Sequence, residues 1–286
     1  MKSIRLLILL NLFVITATAQ RIHVGVFGGL AAYSGDLVDR IFPKKVTNGS
    51  IGITLNYEVS DQFMIRTGFT YAVVGGADRF SKDTGALHRN LAFETSVAEF
   101  SVVGEYYLLN LYDNRISPYA FAGLALFHFN PYAFNASNQK TFLQPLSTEG
   151  QGIAGYPDRQ PYKLTQFAIP FGGGVKFAVT ENLRVGVEMG IRKLFTDYLD
   201  DVSKNYIDPA DLLAAKGQQA VDLSYRGDEV TGGSPVYPAK IVQRGNPKTK
   251  DYYYFTGIHL TYKFAKGMGG GGNGRKNHTG CPTNVY

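Results

Sequence analysis

The chain has 286 residues and a formal charge of +6, and is 44% hydrophobic and 18% charged, with 33 Gly, 19 Tyr, 19 Phe and no Trp. That is long enough for one large domain or two small ones, and too aromatic and too weakly charged for a disordered chain. The pI is about 9.2, yet the basic residues are scattered, with no dense stripe to follow a phosphate backbone, which argues against a nucleic-acid partner.

The first residues read as a cleaved secretory signal spanning 1–19. Lys2 and Arg5 precede an apolar run at 6–15, and Ala17 and Ala19 supply the small residues that signal peptidase needs before Gln20. The run is too short for a permanent bilayer span, and no Cys follows it to accept lipid. After Gln20 no stretch reaches 18 consecutive apolar residues, so no helix is expected to cross a membrane. A closed β-barrel needs only alternation and stays open as an architecture.

Alternation recurs about eight times along residues 20–264. Residues 22–33 set Ile22, Val24, Val26 and Leu30 against His23, Gly25 and Phe27, and residues 50–60 set Ile51, Ile53, Leu55, Tyr57 and Val59 against Gly52, Thr54, Asn56 and Glu58. The third segment has Phe63, Ile65, Thr67, Phe69 and Tyr71 opposite Met64, Arg66 and Thr70. In the fourth, Phe100, Val102 and Tyr106 oppose Glu99, Val103, Glu105 and Tyr107. The fifth, 118–129, is apolar on both faces and leaves its register open. Residues 167–178 and 183–192 then place Lys176, Arg184, Glu188 and Arg192 opposite apolar faces, and residues 252–264 place His259 and Lys263 opposite Ile258, Leu260 and Tyr262. Each segment has roughly ten residues, the length a tilted strand needs to cross a bilayer.

The connections separate a soluble sandwich from a membrane barrel. Three are short, at 60–62, 110–117 and 180–182, and four are long, at 34–49, 72–93, 130–165 and 193–251. Short and long alternate throughout. The fold class is therefore all-β: an eight-stranded antiparallel transmembrane β-barrel with short periplasmic turns and long extracellular loops. Both termini of an even-stranded barrel lie on the turn side, so residues 265–286 are expected to form a flexible, Gly-rich periplasmic tail.

An eight-stranded barrel is about wide enough for its own side chains. The inward faces carry Glu58, Glu99, Glu105 and Glu188 against Arg66, Lys176, Arg184, Arg192 and Lys263. Near-balanced charge facing away from lipid reads as an ion-pair network that seals the lumen; a solute pathway would need a wider barrel. His23, His88, His128, His259 and His278 show no metal-ligand spacing, and no metal or cofactor is expected. His128 with Ser137 is an alternative as a lipid-modifying nucleophile pair, set against ordinary strand-end and loop polar residues. Gly172, Gly173 and Gly174 lie inside a strand pattern, where close packing suits them better than phosphate binding. In the longest loop, Asp208, Pro209 and residues 211–216 followed by Gly217 predict a short helix. Asp197, Asp200, Asp201 and Asp208 read as a solvated acidic loop, with a surface calcium site as the alternative.

The only Cys, Cys281, lies in the tail. An odd thiol in an exported chain suggests pairing with another chain or a free reactive group, set against a solitary thiol of no consequence. As a coil, residues 265–280 reach roughly 20 to 25 Å.

The opening strand and loop, Val24-Gly25-Val26-Phe27-Gly28-Gly29 followed by Tyr33-Ser34-Gly35-Asp36-Leu37, resemble the start of the PorG-type outer-membrane proteins of Bacteroidota. The resemblance extends to the eight-strand pattern and to the basic tail with Arg275, Lys276, Cys281 and Pro282. It implies a non-catalytic outer-membrane subunit of the type IX secretion and gliding machinery. Its partners would be outer-membrane lipid, a periplasmic ring lipoprotein of the PorK or GldK kind and that protein's ring partner of the PorN or GldN kind. Cys281 would then be a candidate for a disulfide to the ring lipoprotein. Rival expectations are a surface adhesin or resistance barrel acting through 130–165 and 193–251, and the lipid-modifying enzyme.

Overall fold

The computed structural model describes residues 21–38, 46–81 and 83–263. The proposed signal segment 1–19 and the tail residues Arg275, Lys276, Cys281 and Pro282 lie outside them.

Eight long strands close into a barrel: β1 (Ile22–Ser34), β2 (Asn48–Ser60), β3 (Phe63–Ala77), β4 (Ala92–Tyr107), β5 (Ile116–Phe134), β7 (Thr165–Ala178), β8 (Leu183–Leu194) and β9 (Tyr252–Lys263). Neighbours pair antiparallel in the order β4-β3-β2-β1-β9-β8-β7-β5, and β4 pairs with β5 to complete the ring. Closure satisfies every wall strand on both sides, which is what allows strands to sit in lipid. The ends of the wall meet where His23 faces Lys263. The three short turns lie at this same end, and the four long connections lie at the other.

The period-two pattern sorts as the alternation predicts. Ile51, Leu124 and Phe167 are each about two-thirds exposed on the outside, while Glu99, Glu105 and His23 are fully buried inside. An exterior belt of Val, Ile, Leu and Phe around a closed wall is costly in water and stable in lipid. Strand β5, whose faces the sequence leaves open, points Tyr119, Phe121, Phe127 and Phe129 inward and Leu124 and Leu126 outward.

Two features differ from the sequence reading. The strands run to 12–19 residues rather than about ten, because backbone pairing continues after the outward side chains turn polar, at Ser96 and Glu94 on β4 and at His128 and Asn130 on β5. A ninth strand, β6 (Lys140–Phe142), pairs with the top of β5; three residues are too few to show alternation. In the longest loop the expected helix forms over Pro209–Lys216, with the Asp208 carboxylate accepting from the Ala210 N–H and Gly217 at its end.

The interior is layered. A small apolar cluster that includes Met64, Tyr107, Tyr119 and Phe121 lies toward the turn end. A larger one, including Tyr33, Val74, Phe93, Phe127, Phe129 and Phe255, fills the loop end and continues under the loops through Leu199 and Val202. The charged residues of the lumen lie among these layers.

Candidate functional site: a lumen closed by ion pairs

The strand parity that sends Arg66, Glu105, Lys176 and Glu188 inward brings them into one group. The Arg66 guanidinium lies 2.9 Å from Glu105 Oε1 through Nε and 2.7 Å from Glu188 Oε2 through Nη1. Lys176 Nζ is 3.1 Å from Glu105 Oε2 and 2.5 Å from the Tyr107 hydroxyl, which itself donates to Glu105. Tyr119 donates to Glu188 at 2.7 Å. Nε2 of His259 lies 2.8 Å from Arg66 Nη1. A guanidinium can only donate, so the Nε2 lone pair faces Arg66, while Glu188 Oε2 lies 3.3 Å from the same nitrogen. Two cations then face two carboxylates, and the group is balanced.

Two further groups extend along the lumen. Toward the loop end, Arg192 grips Glu99 bidentately at 3.1 and 3.2 Å, and Tyr253 donates to the same carboxylate at 2.6 Å. At the turn end Glu58 gathers His23 (3.3 Å), Tyr112 (2.7 Å), Lys263 (3.3 Å) and Arg184 (3.8 Å). Here two permanent cations face one acid. The surplus sits where Lys263, with 19% of its side chain exposed, still reaches water.

The strand order shows what these bonds do. Counting round the ring, β3 and β8 lie four strands apart in either direction, and so do β4 and β9. The Arg66–Glu188 pair and the Tyr253–Glu99 hydrogen bond therefore span full diameters of the barrel. Side chains in direct contact across a diameter leave no open bore at those levels. The glycines of β7 help: a Cβ on Gly172 would lie 2.8 Å from the Phe121 ring, and one on Gly174 would lie 2.9 Å from the Tyr119 ring. Bare backbone lets both rings lie against β7, where Arg66 sits 5.0 Å over Phe121 and Lys176 sits 4.9 Å over Tyr119.

All nine charged residues named from the sequence face the lumen. His23, His259, Tyr107, Tyr112, Tyr119 and Tyr253 complete the network and were missed as members. Strand parity already put His23, Tyr107, Tyr253 and His259 on the inner faces; Tyr119 was hidden by the two-faced apolarity of its segment, and Tyr112 comes from a turn.

The described residues of the long connections lie above the lumen, and they correct the reading of a solvated acidic loop. Asp197, Asp200 and Asp201 are buried. Asp200 accepts from Tyr33 at 2.5 Å and from the Val202 N–H, while Asp201 accepts from Tyr162 (2.7 Å) and Thr148 (2.5 Å). Asp251 lies 3.2 Å from the same Tyr33 hydroxyl and accepts from the Leu199 N–H. Glu149 takes the N–H groups of Ser203 and Lys204 at 2.9 Å each and pairs with buried Arg244 at 3.1 Å. These carboxylates satisfy backbone donors that a folded loop would otherwise strand. Asp208 is engaged at its helix cap, and no group of ligands suited to a metal exists among the described residues.

Burial pushes the Asp197 carboxyl up to about 7 and, against the pull of Arg244, that of Asp201 up to about 6. Asp36 rises to about 6, again through burial. Asp200 and Asp251 stand well above the usual carboxylate range because each is buried and faces other acids.

The imagined nucleophile pair is placed differently. His128 points outward from β5 with Nδ1 2.9 Å from the Thr165 hydroxyl. Ser137 lies beyond the end of β5, in the turn to β6, where its N–H is held by Asn135 Oδ1.

A family described as a domain of unknown function, DUF6089, matches residues 2–211. The chain belongs to the DUF6089 family. The matched span holds eight of the nine lumen charges, all but Lys263. No curated protein matches the DUF6089 chain in sequence. Among solved structures it is similar to the Neisserial surface protein NspA, with 12% identity, 85% of this chain and 97% of that one covered, and a TM-score of 0.42. It is also similar to the outer membrane protein OprG from Pseudomonas aeruginosa (9% identity, 86% and 98% covered, TM-score 0.40). A major outer membrane protein from Thermus thermophilus is a third (12%, 85% and 99%, TM-score 0.40).

Proposed function

We propose that this protein is a non-catalytic outer-membrane subunit that anchors the periplasmic ring of a type IX secretion and gliding machine. The observation that carries this reading is the lumen crossed on its diameter by Arg66–Glu188 and Tyr253–Glu99. A barrel closed in that way has a wall to offer and no conduit, so its work lies at its two ends. At the turn end β9 finishes at Lys263, on the rim of a concavity of about 540 Å³ that also involves Tyr112, Arg115 and Arg184. With the long loops outside the cell, this rim faces the periplasm, and Cys281 comes within reach of a lipoprotein ring held under the outer membrane. The resemblance to PorG-type proteins supplies the ring lipoprotein of the PorK or GldK kind, with its PorN or GldN-like companion, as the partner.

The test is a truncation lacking residues 265–286 beside Cys281→Ser. Loss of secretion with the barrel still in the outer membrane supports the anchor, and so does a high-mass band on a non-reducing gel that Cys281→Ser abolishes. Unchanged secretion in the truncated strain removes the proposal. It would favour a second reading, a barrel that binds partners through its loops, for which the ordered cap and its exposed Val236 and Ile241 speak.

A further inference from the structure

On the outside of the barrel, at the loop end, β3, β4, β5 and β6 continue above the lipid-facing belt and carry a run of outward side chains in register. Gly75 faces Glu94, Glu94 faces Tyr132, and Tyr132 faces Phe142. The next pair on the same face is Phe134 with Lys140. Tyr132 packs edge-on against both Phe134 (5.9 Å) and Phe142 (6.2 Å), and its hydroxyl donates to Glu94 at 2.8 Å. Lys140 Nζ lies 3.6 Å over the Tyr132 ring. A concavity of about 350 Å³ opens beside this strip, with Gly75, Glu94, Tyr132 and Phe134 among its lining and Arg79 and Arg226 at its edge.

Height and chemistry narrow the occupant. Gly75 lies four residues beyond Tyr71, an exposed aromatic on the outer face. At the rise of a tilted strand that is roughly 10 Å above the edge of the apolar belt, in the headgroup layer rather than among acyl chains. Phe134 and Phe142 on this strip are exposed on the outer face. Arg79, Arg226 and Lys140 outnumber Glu94 and Glu229, the latter holding Arg226 at 2.9 Å. Guanidinium groups match phosphate, aromatic faces match the apolar face of a sugar ring, and a carboxylate such as Glu94 accepts from a sugar hydroxyl.

We propose that this groove binds the phosphorylated sugar headgroup of an outer-leaflet glycolipid, lipid A. The inference rests on the orientation used above, in which the long loops face outward. Arg79 and Lys140 supply the charge that holds the phosphate, and the exposed Phe134 and Phe142 rings, propped by buried Tyr132, supply the surface against which the sugar and the first acyl carbons lie.

The experiment is native mass spectrometry of the full chain in detergent, titrated with bisphosphorylated lipid A, with the same lipid stripped of phosphate, and with phosphatidylglycerol. The expected result is retention of bisphosphorylated lipid A at about tenfold lower concentration than either comparison lipid, reduced about tenfold by R79Q/K140Q and kept by the charge-conserving R79K/K140R. Both residues are exposed on the outer surface, and heat-dependent gel mobility verifies that the variants fold. Equal binding by R79Q/K140Q overturns the site. Equal binding of phosphatidylglycerol overturns the sugar part, leaving a groove that reads anionic charge alone. Labelling of Ser137→Cys by an impermeant thiol reagent on intact cells, in a Cys281→Ser background, tests orientation separately: no labelling overturns the inference together with the topology beneath it. Failure of lipid binding with labelling intact leaves the anchor reading standing.

Discussion

Replacing Glu188 with Ala isolates the bond that closes the lumen. The carboxylate accepts from Arg66 at 2.7 Å and from Tyr119 at 2.7 Å, and it sits beside His259 at 3.3 Å. Without it the balanced group of two cations and two acids becomes a buried +1, shared between Glu105 and whatever water enters. Breaking a buried pair by deleting one partner costs about 3 to 5 kcal/mol, whereas removing both charges for apolar groups of similar volume is close to neutral. Glu188→Ala is expected to lose about 3 to 5 kcal/mol. Arg66→Met/Glu188→Leu should lose only about 1 to 2 kcal/mol, because Lys176 still neutralises Glu105 and the groups left short, Tyr119 and His259, are uncharged hydrogen-bond partners rather than an unpaired guanidinium. Urea titration of the barrel in micelles, followed by circular dichroism and by gel mobility before and after heating, measures both. A single variant within about 1 kcal/mol of wild type, or a double variant as unstable as the single, would refute the argument that charge balance across the diameter holds the lumen shut.

Two other outcomes follow from the same geometry. Leu124→Arg on β5 should cost about 2 to 4 kcal/mol in lipid, since Leu124 is outward on the apolar belt; a neutral result in a bilayer-based unfolding titration would put that face of β5 inside. The cap over the loop end should tighten as pH falls from about 7 to about 4. Asp36, Asp197 and Asp201 hold their protons up to about 6 to 7 when folded, against 3.8 when free. The folded cap therefore binds more protons than the unfolded one across that window, and its stability declines as pH rises through it. Hydrogen exchange of residues 195–251, corrected for intrinsic rates, should be slower at pH 5.5 than at pH 8; the opposite order would rule out protonated carboxylates in the cap.

The wall of the barrel was legible in the amino-acid order alone. Period-two alternation such as Ile51, Ile53, Leu55 and Tyr57 against Thr54, Asn56 and Glu58 is a local property, readable without any knowledge of what each strand pairs with. The same parity sent all nine lumen charges inward, and the capping pattern of Asp208 and Pro209 located a helix within the longest loop. Which charge meets which was settled by the closed fold. Arg66 and Glu188 are 122 residues apart and become partners because β3 and β8 stand opposite each other in a closed ring. Strand β5 took its register from β4 and β7, since both of its faces are apolar. The acidic loop residues were legible as charges, yet burial depends on the loops that fold over them, from Glu149 to Arg244. Side-chain direction along a strand is set by the backbone of its neighbours in sequence, whereas contact across a lumen or beneath a cap is set by ring closure and long-range packing, which no local pattern encodes.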